Sequence, residues 1–168
     1  MRGKVPSLVA ALAFVTTTAL GGAAATAGTA ATAGTAVAAG PAGRPGVLEQ
    51  ADRIMNLTYG AFAETPHVEP FDWSTDGCSV PVGFAPYREV FRPACEQHDF
   101  GYRNYGAHGK LRLGPTRDTK NWIDGRFRTE MERICQDAYA AAADRGNCVG
   151  AAQGYFVAVN VGGDAAFF

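Results

Sequence analysis

The sequence predicts a mainly α, all-helical fold: a small disulfide-stapled domain with two antiparallel core helices and an irregular loop between its helical segments. Apolar residues recur at helical spacing in two long segments, and no alternating strand pattern extends beyond a few residues. The cysteines are Cys78, Cys95, Cys135 and Cys148, an even number, and all of them lie beyond residue 47. Even cysteine counts are typical of small exported domains that are held together by disulfides.

Bulk composition limits the possible partners. The chain has 168 residues, which is enough for one domain. Its 15 basic and 16 acidic side chains give a formal net charge of −1. We therefore expect no nucleic-acid partner, because such proteins carry a marked positive charge.

The N-terminal segment has the pattern of an export signal. Arg2 and Lys4 precede an apolar stretch over residues 8–20, and small residues follow it. We interpret residues 1–27 as a signal peptide, so the protein is expected to be secreted and extracellular. The alternative is a membrane anchor or an interfacial helix. Residues 28–46 form an Ala/Gly/Thr-rich low-complexity segment, and residues 47–168 are the predicted folded domain.

The cysteine pairing is open at this point. In an exported chain four cysteines imply two disulfides, for which three pairings are possible. Free buried thiols are the alternative.

The helical periodicity predicts the elements in order. A first helix covers residues 47–62 and ends before Pro66 and Pro70. Residues 71–86 are rich in Gly, Pro, Ser and Asp, which predicts a loop. Pro93 suits the first turn of a second helix that runs to about Tyr105.

The second half of the chain continues this pattern. Residues 107–116 are predicted to be loop, and Asp118 or Thr119 caps a long third helix to about residue 143. Gly146 and Asn147 break it, residues 149–161 form a last short helix, and the C-terminus frays.

The second helix carries the residues with the clearest chemistry. His98 and Asp99 point in adjacent directions, while Cys95 and Asp99 lie on one face. If Cys95 bonds Cys78, the preceding loop brings the Asp76 carboxylate and the Gly77 carbonyl within reach of Asp99. Two carboxylates and a carbonyl suit a hard cation such as calcium. Alternatively, Cys95 serves only as a staple.

Asp124 is the charged residue at the edge of the apolar stripe of the third helix. A carboxylate that faces a core needs a partner, and a histidine on the facing helix, His98, is the natural one. Such a pair orients the imidazole as a general base for water. The alternatives are a chance His-Asp doublet, or an Asp124 that pairs with Arg103.

The remaining polar residues have weaker signals. His67 and His108 lie in predicted loops and are expected to be exposed. Lys110, Arg112, Arg117 and Lys120 make the second loop basic, which indicates either a solvated surface or contact with anionic lipid head groups.

Four segments resemble the secreted phospholipase A2 of streptomycetes and fungi. They are residues 71–78 (FDWSTDGC), 94–105 (ACEQHDFGYRNY), 123–127 (IDGRF) and 131–135 (MERIC). The resemblance covers about residues 71–148. The cysteine-rich framework and Gly-rich calcium loop of the animal enzymes are missing, and the segment between His98 and Asp124 is longer than expected for the bacterial type.

The resemblance implies a role for each matching residue. His98 would be the general base and Asp124 its orienting carboxylate, with Tyr102 supporting the pair. Asp76, the Gly77 carbonyl and Asp99 would bind one calcium ion. The implied disulfides are Cys78–Cys95 and Cys135–Cys148.

The expected function is therefore that of a secreted, calcium-dependent phospholipase A2. It would cleave the sn-2 acyl ester of phospholipids at a membrane or micelle surface, and we expect a monomer. Two alternatives are a non-enzymatic secreted ligand on the same scaffold and a metal-dependent phosphohydrolase of the His-Asp type.

Overall fold

The computed structural model describes residues 46–79 and 85–168. The predicted signal peptide (1–27) and nearly all of the Ala/Gly/Thr-rich segment lie outside these residues. The described ranges are helical and contain no strand, which confirms the predicted fold class. None of the helices in these ranges combines the length and the apolar character that a membrane crossing requires. The elements are α1 (Val47–Met55), α2 (Tyr59–Ala63), a 3-10 turn (Ala85–Tyr87), α3 (Arg88–Tyr105), α4 (Arg117–Ala138), α5 (Ala142–Gly162) and α6 (Asp164–Phe167).

Helices α3 and α4 pack against each other in opposite directions. The ring of Tyr105, at the end of α3, lies 5.5 Å from that of Trp122 near the start of α4. Earlier in α3, the His98 ring lies 4.7 Å from Phe127, which comes later in α4. Gly101 permits close approach, because a Cβ there would come within 2.7 Å of an Ile123 methyl carbon.

The apolar core consists of two clusters on either side of this helix pair. One cluster joins α3, α4 and α5 and includes Phe91, Phe127, Met131, Ile134 and Tyr155. The other lies beneath α1 and α2 and includes Met55, Phe62, Phe100, Ile123 and Phe167. The α3–α4 pair contributes to both clusters, so burial of apolar surface in each of them holds these two helices together.

Two disulfides staple the helices, with the pairing that the resemblance implies. Cys78 bonds Cys95 at a Cα–Cα distance of 5.3 Å and attaches the loop before residue 80 to α3. Cys135 bonds Cys148 at 5.6 Å and links α4 to α5.

The prediction of one continuous first helix over residues 47–62 is wrong. The structure has two helices there, α1 and α2, separated at residues 56–58. Thr58 caps α2 by accepting a hydrogen bond from the Ala61 amide at 3.2 Å. The freed carbonyl of Leu57 accepts bonds from Gln97 at 2.9 Å and Arg126 at 2.7 Å. Side chains of α3 and α4 thus satisfy the backbone at this break.

The bounds of the later helices also differ from the prediction. Helix α3 begins at Arg88, ahead of Pro93, since Phe91 is fully buried against Tyr155. Helix α4 ends at Ala138, and Gly146 and Asn147 lie inside α5. The break falls at residues 139–141, where Arg145 donates to two carbonyls.

The C-terminus is packed rather than frayed. Phe167 is fully buried, and its carbonyl accepts a hydrogen bond from the Ala107 amide at 2.7 Å. Its ring also lies 5.0 Å from that of Tyr102.

The buried carboxylate of Glu130 yields a test of the fold. It accepts bonds from the Tyr59 amide at 2.9 Å, from Arg126 at 2.9 Å and from Arg133 at 3.1 Å. We expect Glu130→Ala to lower the free energy of unfolding by about 2–4 kcal/mol, because it removes a fully buried carboxylate that three part-buried or exposed donors share. Urea denaturation measures this change.

Glu132→Ala is the matched control on the same helix. Glu132 pairs with Arg128 at 2.8 Å, but both side chains are exposed, so the expected loss is below about 1 kcal/mol. Equal losses for the two variants would contradict the structural role of Glu130.

Candidate active site

The loop before residue 80 brings a carboxylate and a carbonyl close to Asp99. Asp99 Oδ2 accepts hydrogen bonds from Thr75 Oγ1 at 2.6 Å and from the Asp76 amide at 3.1 Å. Gly77 has a φ of +73°, a left-handed conformation that side-chain-bearing residues rarely adopt. The Cys78–Cys95 disulfide holds this turn one helical turn from Asp99.

The Asp76 side chain lies at the exposed edge of this turn. It accepts from Ser79 Oγ at 2.9 Å and lies 3.4 Å from the Arg103 guanidinium. Arg103 also donates to the Ser74 carbonyl at 2.6 Å. Arg103 therefore pairs with the loop, and the alternative in which it pairs with Asp124 is wrong.

The surroundings of Asp99 disfavour the charged form of its carboxylate. Burial raises its pKa, the Thr75 hydrogen bond counteracts this, and the nearby Asp76 charge raises it further. Both hydrogen bonds to Asp99 end on Oδ2, so neither occupies Oδ1. An oxygen-seeking cation beside Asp76 and Asp99 would relieve this imbalance.

The described residues nevertheless provide few acidic ligands. No three His, Cys, Asp or Glu side chains within 46–79 and 85–168 form a group that could hold a metal ion. A calcium ion at this turn would have two carboxylates, Asp76 and Asp99. Carbonyl oxygens, such as that of Gly77, and water would have to complete its shell.

His98 and Asp124 meet between α3 and α4. His98 Nε2 lies 3.0 Å from Asp124 Oδ1, and the same oxygen accepts a bond from the Tyr102 hydroxyl at 2.8 Å. The imidazole packs between the rings of Tyr102, at 4.2 Å, and Phe127, at 4.7 Å. Because Nε2 faces Asp124, Nδ1 is left as the ring nitrogen for a further partner.

Lys120 joins this pair, although the sequence placed it in a basic loop. It lies in the first turn of α4 and is fully buried, with Nζ 2.7 Å from Asp124 Oδ2. The i, i+4 spacing of Lys120 and Asp124 was the available signal for this contact. Lys120 Nζ also donates to the carbonyls of Val159, at 2.9 Å, and Asn160, at 3.2 Å.

Two opposing effects set the charge state of Asp124. Burial by itself would raise the pKa of Asp124, but hydrogen bonds from His98, Lys120 and Tyr102 outweigh it and hold the pKa below its usual value. For Tyr102, burial and the Asp124 charge raise the pKa of the phenol, so Tyr102 remains a hydrogen-bond donor.

One cavity of about 390 Å³ is bordered both by His98 and by the turn that carries Asp76 and Gly77. His98, Asp99, Asp76 and Gly77 line its polar side. The opposite side is formed by Phe127 and by small or apolar residues at the end of α5 and in α6, namely Ala158, Val159, Gly162, Gly163 and Ala166. An imidazole, carboxylates and an apolar wall thus face one space.

The two other histidines are exposed, in agreement with the expectation from the sequence. The His67 ring stacks on Trp73 at 4.5 Å. His108 borders a smaller hollow on the other side of Asp76 and Asp99.

Comparison with known proteins yields a consistent set of similarities. Residues 54–163 match the family described as prokaryotic phospholipase A2. A secretory phospholipase A2 of Beauveria bassiana is 33% identical over 106 residues, which are 63% of this chain and 51% of that protein. A secretory phospholipase A2 of Arthroderma benhamiae is 36% identical over 64 residues, 38% of this chain and 40% of that protein. The chain therefore spans about half the length, or less, of these relatives.

Acid unfolding tests the environment of Asp124. Its folded-state pKa is lowered, so its contribution to stability is present above the unfolded-state pKa near 3.8 and is lost as the pH falls toward the folded value. We expect the free energy of unfolding to decline more steeply below about pH 4 in the wild type than in Asp124→Asn. Denaturation curves at several acidic pH values measure both slopes, and parallel slopes would contradict the prediction.

Proposed function

Because the chain belongs to the prokaryotic phospholipase A2 family, we propose that it is a calcium-dependent phospholipase A2. It hydrolyses the sn-2 acyl ester of glycerophospholipids to a free fatty acid and a lysophospholipid. The observation that carries this proposal is the 3.0 Å contact between His98 Nε2 and Asp124 Oδ1 beside a cavity that Asp76 and Asp99 also line.

His98 acts as the general base in the proposed reaction. Its Nδ1 takes a proton from water, and the water oxygen forms a bond to the ester carbonyl carbon. The bond from that carbon to the glycerol oxygen then breaks, and the proton from the imidazolium goes to the departing oxygen. Asp124 accepts the Nε2–H bond throughout, which fixes the tautomer and stabilises the charged ring.

Asp76, the Gly77 carbonyl and Asp99 are the proposed calcium ligands. A bound calcium ion supplies Lewis-acid polarisation of the ester carbonyl and stabilises the negative charge that develops on its oxygen. The oxygen-only donor set and the raised pKa of Asp99 support a cation at this position.

The surroundings of the cavity support a lipid substrate. Its wall at the end of α5 and in α6 is made of small and apolar residues, which suit an acyl chain. The proposed setting is a membrane or micelle surface, with the protein as a monomer and without a nucleic-acid partner.

Secretion is proposed on three observations. The relatives are named secretory, the pattern of residues 1–27 is that of a signal peptide, and the domain contains two disulfides. In this proposal residues 28–46 are a low-complexity segment and residues 47–168 form the catalytic domain.

Replacing the base tests the proposed chemistry. We expect His98→Gln to lower kcat for fatty-acid release from phosphatidylcholine micelles by about 10²- to 10⁴-fold, because the glutamine cannot accept the proton. Titration of the released acid measures the rate. His67→Gln, at an exposed position that only stacks on Trp73, is the control and should retain wild-type activity. Undiminished release by His98→Gln would refute the proposal.

Calcium binding is testable without activity. A ligand that binds only the folded state stabilises it by about 2.7 kcal/mol at 100 times its Kd, so calcium should raise the Tm of the wild type. Asp99→Asn should remove most of this increase, because it removes one of the two carboxylates. Asp118→Asn, an exposed change in the first turn of α4, is the control. Differential scanning fluorimetry measures the shifts, and an equal increase in Asp99→Asn would exclude Asp99 as a ligand.

A further inference from the structure

The buried lysine of the first turn of α4 has no role in the mechanism described so far. Lys120 is fully buried, and its ammonium group has three acceptors at hydrogen-bond distance: Asp124 Oδ2 at 2.7 Å and the carbonyls of Val159 and Asn160 at 2.9 and 3.2 Å. An ammonium group has three N–H bonds, so this set uses all of them. A second carboxylate, that of the half-exposed Asp164, lies farther away, at 3.7 Å. Burial of a charged lysine is costly, and a complete set of partners is the condition under which it persists.

The contacts divide the two oxygens of Asp124 between different partners. Oδ1 accepts from Tyr102 and faces His98, whereas Oδ2 faces Lys120. A carboxylate that is held at both oxygens cannot rotate without breaking a charged hydrogen bond. Lys120 therefore keeps Oδ1 directed at the imidazole.

The same lysine connects the carboxylate to the wall of the cavity. Val159 lines the cavity, and its carbonyl accepts both the bond from Lys120 and the last helical bond of α5, from the Gly163 amide at 2.9 Å. The Asn160 carbonyl, which Lys120 also contacts, belongs to the last turn of α5, where carbonyls lack partners in an ordinary helix. A cation there is also favoured by the helix dipole. One side chain thus fixes the Asp124 carboxylate and the end of α5 relative to each other.

We propose that Lys120 is a positioning residue of the phospholipase reaction, which locks the Asp124 carboxylate so that His98 is held in the orientation that activates water. This inference rests on the proposed function. It differs from a purely structural role, in which Lys120 would only hold the end of α5 in place.

Kinetics with monomeric short-chain phosphatidylcholine and calcium separate the two roles. We expect Lys120→Met to lower kcat by about 10- to 100-fold, the usual loss when an outer partner of an active-site group is removed, with little change in KM. On an Asp124→Asn background the same change should lower kcat less than about twofold, because residues that act as a unit are not additive.

Arg117→Met is the matched control. Arg117 pairs with Asp164 at 2.6 Å and so holds the same C-terminal segment, but the pair is half-exposed. It does not touch Asp124, and it reaches Lys120 only through the 3.7 Å between Asp164 Oδ1 and Lys120 Nζ. This variant should retain the wild-type kcat. A kcat as low as that of Lys120→Met would show that loosening the segment is sufficient, and would overturn the inference.

A second readout does not depend on turnover. The ¹⁵N NMR spectrum of His98 should show a proton on Nε2 in the wild type and a mixture of tautomers in Lys120→Met. Unchanged tautomers together with unchanged kcat would overturn the inference.

The remaining outcomes are also decisive. Equal losses of kcat with and without Asp124 would assign Lys120 a structural role only. If Lys120→Met does not fold, Lys120→Gln replaces it, because its amide keeps two of the three N–H donors without the charge. Failure of both variants to fold would make Lys120 a requirement of the fold and overturn the inference.

An inactive wild type would refute the proposed function itself, whereas an active wild type with an unaffected Lys120→Met refutes only the inference.

Discussion

The buried carboxylate of Asp124 is the interaction on which the rest of the site depends. Removing such a charge from water is costly, and only a full set of donors offsets the cost. These donors come from three helices: His98 and Tyr102 from α3, Lys120 from α4 and Asn160, at 3.5 Å, from α5. The packing that forms the core is therefore the same packing that aligns the imidazole.

The proposed cation side of the site is built differently. The turn at residues 75–79 has little apolar surface, and it is held by the Cys78–Cys95 disulfide and by hydrogen bonds to Asp99. Asp76 is exposed and Asp99 is half-buried, so a hydrated ion can reach both carboxylates. In the proposed function, a buried base beside an accessible ion site would permit the ion to exchange while the His98–Asp124 pair stays in place.

The sequence was sufficient for the fold class and for the facing positions of His98 and Asp124, because apolar periodicity sets which faces of α3 and α4 meet. It was insufficient for Lys120, because the i, i+4 spacing indicates a contact with Asp124 but not the burial of the ammonium group against the carbonyls of α5. The break at residues 139–141 and the buried Phe167 were also missed. The break depends on specific side-chain contacts around it, namely the Cys135–Cys148 disulfide and the bond from Arg145 to the Tyr139 carbonyl. Burial of Phe167 depends on a contact that is distant in sequence, with the ring of Tyr102. Local propensity contains no information about such contacts.

Positional analysis of the products from a phosphatidylcholine with different acyl chains at sn-1 and sn-2 tests the proposed chemistry most directly. If water activated by the His98–Asp124 pair attacks the sn-2 carbonyl, the only fatty acid released is the sn-2 chain, and the lysophospholipid retains the sn-1 chain. Release of the sn-1 chain, cleavage at the phosphate, or no product in the presence of calcium would contradict the proposed function.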